Sequence, residues 1–210
     1  MGLEQRETGN FITILGGRFC QRVQAETAGA TARVNKLGKT VHEKYYDSFT
    51  GKLVNIRTQD GEYGKSWLFS FQDKGDVYHL QLSYSNSFAK AFLSMLPNVD
   101  FDDVMKVSPQ VKEIDGKKKS SLFVNQKGVS LKHAFTRATP NGLPPMEEVT
   151  IKGQKAWDDT KQLEFFYNMV QTQILPKLPK ITTPAPAQSQ ADKDFADLTG
   201  GEAKIDTGDF

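Results

Sequence analysis

Cysteine occurs once in the 210 residues, at Cys20. A lone thiol forms no intramolecular disulfide and no cysteine-cluster zinc site, and such usage fits a reducing compartment. Histidine is nearly as scarce: His42, His79 and His133 lie far apart, at no metal-ligand spacing and in no HExxH-type motif. Long apolar runs are missing too. The most apolar windows, FITIL and AFLSML, are far too short to span a bilayer, and Met1 is not followed by a secretory signal. A soluble, cytoplasmic protein with no membrane partner is the expectation. Phosphate cradles of the GxxxxGK(S/T) or GxGxxG type and a GxSxG elbow are also absent, and Gly61-Glu62-Tyr63-Gly64-Lys65 reads as a turn before a strand. Asp102-Asp103 has no companion acids, so it reads as a connector. We expect no catalytic residues, no cofactor and no metal.

Net charge of one sign is lacking only in the sum. The formal total is +2, but residues 192–210 hold six acids against two lysines, leaving −4 there and +6 on residues 1–180. A basic body on an acidic extension suits a polyanion ligand. Between them, residues 181–191 form a Pro/Ala/Gln/Ser spacer with nothing to bury. The expected division is a body at 1–180, a linker at 181–191 and an acidic tail at 192–210.

What is present is strand pattern. Phe11–Leu15 is β-branched and aromatic, Gly16-Gly17 permits a bend, and Arg18–Val23 resumes, as a small barrel needs at a corner. Residues 24–39 read as a loop or irregular insert. Val41–Tyr46 and Lys52–Thr58 flank DSFTG as a hairpin, with Gly51 at the left-handed position. Lys65–Phe71 and Val77–Tyr84 follow, completing a four-stranded antiparallel meander. The period then becomes helical from Phe88 to Leu96, with a cap at Ser85-Asn86-Ser87 and a stop at Pro97. Strands return at Val104–Val107, broken after Ser108-Pro109, then at Ser120–Asn125 and Val129–Phe135. Thr136–Glu148 reads as a loop. A second helix spans Trp157–Leu175, with Leu163, Phe166, Tyr167, Val170 and Ile174 on one side.

Strands, one helix, then strands is the order of the oligonucleotide-binding barrel. The expected fold is therefore mainly β: an OB-fold-like antiparallel barrel with one inter-strand helix, a C-terminal helix and a disordered acidic tail. A β-sandwich or another small barrel is the competing architecture. The second helix has apolar surface enough to cap its own barrel or to pair with a second copy.

Binding of single strands needs aromatic faces for bases and cations for phosphates. The first meander offers Lys44, Tyr45 and Tyr46, then Lys52 and Arg57, then Tyr63, Lys65 and Trp67. Trp67 shares a strand face with Phe69 and Phe71, so it belongs either to the core or to a stacking platform. The later hairpin adds Lys117, Lys118, Lys119, Phe123 and Lys132.

The segments YYDSFTGKLVNIRTQDGEYGKSWLFSF and YHLQLSYSNSFAKAFLSMLPNVD, with the spacer and an acidic tip ending Asp209-Phe210, resemble the phage and bacterial single-stranded DNA-binding proteins. The resemblance covers about residues 10–135 and, separately, the tail. It implies a non-enzymatic protein that coats unwound DNA in replication, recombination and repair. It also implies that the tip, here Asp206, Asp209 and Phe210, docks replication or recombination proteins. Gly208 and Thr207 make the tip less densely acidic than is usual for the family. Two rivals stay open: a protein-interaction or virion-assembly module built on the second helix, and an RNA-binding barrel.

Overall fold

The computed structural model describes residues 10–35, 38–61, 64–114, 116–151 and 153–179. These lie in the compact unit that ends at Pro179. Tyr63 and the tail residues Asp206, Asp209 and Phe210 fall outside the described residues, as does the side chain of Lys117.

The strands are β1 (Asn10–Leu15), β2 (Arg18–Val23), β3 (Thr31–Val34), β4 (Thr40–Tyr46), β5 (Phe49–Gly61), β6 (Gly64–Asp73), β7 (Asp76–Ser83), β8 (Met105–Ile114), β9 (Lys117–Gln126), β10 (Val129–Ser130), β11 (Glu147–Ile151) and β12 (Gln154–Asp158). The first ten form one mixed sheet in the order β10-β9-β8-β5-β6-β7-β1-β2-β4-β3, and β11 pairs only with β12. All neighbours are antiparallel except β1 and β7. The fold is mainly β, as expected, but the sheet keeps two open ends and does not close into a barrel. Closure is approached at one seam, where the Gly16–Gly17 corner meets β8. A Cβ on Gly17 would lie 2.6 Å from the Val111 backbone nitrogen.

Two turns behave as the sequence indicates. Lys74-Gly75 and Lys127-Gly128 both have positive φ at each residue, the twist that suits a two-residue hairpin. Asn86 caps α1 (Ser87–Met95), its side chain accepting from the Phe88 N–H at 2.8 Å. The helix passes into a 3-10 turn, Leu96–Asn98, at Pro97.

Other expectations are corrected. Val41–Tyr46 and Lys52–Thr58 do not form a hairpin: β4 pairs with β2 and β3, and β5 with β6 and β8. Gly51 is a strand residue without positive φ, and the Phe49 ring fills the space where its side chain would be. The chain therefore turns at Phe49 to pack an aromatic ring against the core, and the meander has three strands, β5-β6-β7. The insert at 24–39 contains β3, a strand added at the sheet edge. Pro109 does not interrupt β8, because that strand pairs with β5 only at Met105–Val107 and its other edge is unpaired beyond, where a missing N–H costs no ladder bond. Val129–Phe135 is strand only at Val129–Ser130.

The second helix begins late. Trp157 and Asp158 belong to β12, and the Asp158 carboxylate accepts from the Thr160 N–H at 2.9 Å. From there α2 (Thr160–Met169) runs into a π turn, Val170–Ile174, and a 3-10 turn, Leu175–Lys177.

One core holds this together. Leu53, Ile56, Trp67, Phe69, Phe71, Leu80 and Leu82 meet Phe88, Phe92 and Leu96 of α1, and Phe166, Met169, Val170 and Ile174 from the end of the chain. The Phe69 and Phe92 rings meet edge-on at 5.0 Å. The second helix thus packs on its own sheet, one of the two arrangements its apolar surface allows.

Candidate nucleic-acid interface

Strand alternation sorts the expected binding residues onto three surfaces. Trp67 goes to the core: it is fully buried, its indole stacks on Tyr84 at 5.1 Å, and its Nε1–H donates to the Tyr84 carbonyl at 3.2 Å. It is no stacking platform. Lys65 serves the same cluster, its ammonium lying 4.7 Å from the Tyr84 ring centroid and 4.9 Å from that of Tyr167. Lys52 lies 3.9 Å from the Asp102 carboxylate. Lys132 is exposed, and its backbone carbonyl accepts from the Asn98 side-chain amide.

The β8–β9 ribbon brings a coherent set together. Its outer face carries Lys106, Ser108, Gln110 and Lys112 on β8, opposite Asn125, Phe123, Ser121 and Lys119 on β9. Among the described residues these two strands place three lysines and no carboxylate on that face, with a Phe123 ring that is 45% exposed, and Asp47, ion-paired to Arg18 at 2.8 Å, borders it beside Lys106 and Phe123. Lys106 and Lys112 are six residues apart, about 20 Å along an extended strand, with Phe123 between them. Lys112 stands directly across from Lys119, a like-charge pair that destabilises a bare sheet and that an anion relieves. Lys118 points to the other face, opposite Glu113.

A second surface is a cleft of about 590 Å3 on the outer side of β6, β7, β1, β2 and β4. Phe11, 39% exposed, lies over His79 with ring centroids 5.1 Å apart. Arg22 stands on the same face, exposed, across from Glu43. Glu43 is nearly fully buried and already satisfied. Arg33 donates to both of its carboxylate oxygens, at 2.9 and 2.7 Å, and the Tyr45 hydroxyl donates at 2.6 Å. The Arg33 hydrogen bonds hold the Glu43 carboxyl down at a pKa of about 2, and those same bonds raise Arg33 further. Bonding to Glu43 also raises the Tyr45 phenol, while burial, first, and the Glu43 charge push up the Cys20 thiol. Because Arg33 neutralises Glu43, Arg22 keeps its positive charge on this face with no ion pair among the described residues. Arg57, paired with Leu68, shares the sheet face of Ser66 and Gln81. The Gly16–Gly17 corner lies between cleft and ribbon, with Leu15 lining the one and Gly17 bordering Phe123's surface.

Tyr45 therefore faces the cleft as a support for Glu43, whereas Lys44 and Tyr46 point to the opposite side, with Gln21 and Phe19. The residues that sequence reasoning missed are Phe11, Arg22, Lys106 and Lys112. The available signal was alternation: Phe11 and Arg22 have the parity opposite to the buried Ile12 and Phe19. Among the described residues no His, Cys, Asp and Glu cluster could hold a metal, and no helix is long and apolar enough to cross a membrane.

No protein-family model matches the chain, and neither a curated protein nor a solved structure is similar to it at a meaningful level.

Proposed function

We propose that this protein binds single-stranded DNA without sequence preference, coating unwound DNA during replication, recombination and repair. The observation that carries this reading is the outer face of the β8–β9 ribbon, where an exposed phenylalanine stands among three lysines and the acid at its border, Asp47, is ion-paired to Arg18. A ring that stacks any base, flanked by cations that take phosphates, gives affinity without base reading. The cleft at Phe11 and Arg22 repeats the combination beyond the Gly17 corner, so a strand can pass from one to the other.

The topology supports an OB-like ancestry. Three meander strands, β5-β6-β7, lead to α1, and β8 returns to pair with the start of β5. That is the strand-strand-strand-helix-strand order of the OB fold, a barrel that is itself partly open. In this reading β1 supplies the strand beside β7 and the Gly17 corner supplies the seam.

The acidic stretch 192–210 is assigned two roles: docking replication or recombination proteins through Asp206, Asp209 and Phe210, and competing with DNA for the basic surface. One observation favours the protein-interaction rival. Trp157, 65% exposed on the β11–β12 hairpin, is a large ring with nothing over it among the described residues.

The deciding experiment is fluorescence-anisotropy titration of labelled oligo-dT at two salt concentrations, with oligo-rU and duplex DNA as controls. Tight, salt-sensitive binding of dT alone is expected, with a loss of about fivefold or more in Phe123→Ala. Preference for rU would move the assignment to RNA. Absence of binding at low salt would move it to the protein-interaction reading and to Trp157.

A further inference from the structure

On the opposite side of the β2–β4 pair from the cleft lies a smaller pocket of about 260 Å3, set at the Phe49 end of the core. Its walls are aromatic. Phe49 lies 5.2 Å from Tyr78 and 6.4 Å from Phe19, and Tyr46, 40% exposed, closes the rim with its hydroxyl donating to Gln21 Oε1 at 3.4 Å. The one charged residue in the lining is Asp73. It stands at the end of β6 directly opposite Asp76, and its carboxylate forms no hydrogen bond or ion pair among the described residues. Burial, first, and then the charges of Asp76 and Asp73 raise the Tyr78 phenol.

This chemistry selects against the DNA ligand. A phosphate would meet an unpaired carboxylate, with a second one across the turn, and nothing in the lining offers a positive charge. A cation meets the reverse: ring faces that attract it and a carboxylate that receives it. Lys44 already shows the attraction in part, its ammonium lying 6.0 Å from the Tyr46 centroid. The size is informative as well. Pockets for whole small molecules run from about 300 to 1,000 Å3, so this one fits a single long side chain.

We propose that the pocket receives a basic side chain, arginine in the first place, presented by a partner peptide. A guanidinium is planar and weakly hydrated. It can stack on Tyr46 or Tyr78 while its N–H fork donates to Asp73, which an ammonium cannot do as well. The protein then has two recognition surfaces of opposite sign, a basic one for the polyanion and an acidic aromatic one for a basic partner. This inference stands whether or not the DNA reading does.

The test uses the full chain, 15N-labelled, titrated with N-acetyl-arginine amide and with its uncharged isostere N-acetyl-citrulline amide. Arginine amide is expected to shift the backbone resonances of Phe49, Asp73 and Tyr78, with citrulline weaker by about tenfold, equivalent to ~1.4 kcal/mol. Asp73→Asn should bring arginine down to the citrulline level while oligo-dT affinity stays unchanged. Tyr46→Ala, at a half-exposed position, should weaken the arginine probe severalfold by a separate route. Equal response to both probes, shifts that persist in Asp73→Asn, or shifts outside the pocket would overturn the proposal. So would a parallel loss of oligo-dT binding in Asp73→Asn, because the pocket would then belong to the DNA path.

Discussion

Glu43 is a nearly buried carboxylate whose charge is held by one partly exposed guanidinium, and this makes the fold acid-sensitive. Its folded pKa of about 2 lies below the ordinary value of 4.5. The stability it contributes is therefore fully present above pH 4.5 and lost as pH falls from there toward 2. Since water reaches Arg33, the contribution is about 1–2 kcal/mol after screening. Glu43→Gln should remove that increment at neutral pH and flatten the stability profile over this acid range, as denaturant melts across pH would record. Trp67 gives a second residue-scale prediction. Trp67→Ala should cost about 3–5 kcal/mol of stability, the penalty of a core cavity. Any weakening of oligo-dT binding in that variant should follow the unfolded fraction. Retained stability with lost DNA binding would return Trp67 to the interface.

At the scale of elements, the β1–β2 corner joins the two candidate surfaces. Gly17 has φ of +83° and sits against the β8 backbone, so Gly17→Ala meets both a left-handed conformation and a close contact. We expect a loss of about 2 kcal/mol or more, with faster amide exchange at Gln110 and Val111, measurable by hydrogen exchange. Gly16 has open space around it. Gly16→Ala should therefore cost less, leaving the comparison to isolate the seam contact from the backbone strain. Elements were unevenly legible in the sequence. α1 could be read because Asn86 and the run from Phe88 to Leu96 specify it locally. The strands flanking Lys74-Gly75 were equally plain, whereas beyond Lys127-Gly128 only Val129–Ser130 of the expected Val129–Phe135 strand forms. The β11–β12 hairpin was not, since Trp157 and Lys155 are as compatible with the helix that follows as with a strand.

For the whole molecule, the division of charge sets the behaviour in salt. Arg22, Lys106, Lys112 and Lys119 lie on the two surfaces proposed for DNA, so the logarithm of oligo-dT affinity should fall with the logarithm of salt with a slope of about −2 to −3. Deleting residues 192–210 should tighten binding at low salt and leave it unchanged at high salt, where the tail's charges are screened. Equal affinity with and without the tail at low salt would exclude internal competition.

Features that depend on neighbours along the chain are written in the residues themselves: strand alternation, the two positive-φ turns, the cap and apolar stripe of α1, and the segregation of charge between body and tail. Lys119 and Phe123 fall in one hairpin for the same reason. Which side of each strand faces water was settled by packing alone. Alternation divides Lys44 and Tyr46 from Tyr45, and Phe11 from Ile12, but a strand's two faces become inside and outside only when distant segments pack. The pairings β5 with β8 and β1 with β7 join residues far apart in the chain, and no local preference encodes them. They form because Trp67, Phe92 and Phe166 share one buried core with Phe49 packed against it, and burying those rings fixes the sheet order, the open seam at Gly17 and both proposed surfaces.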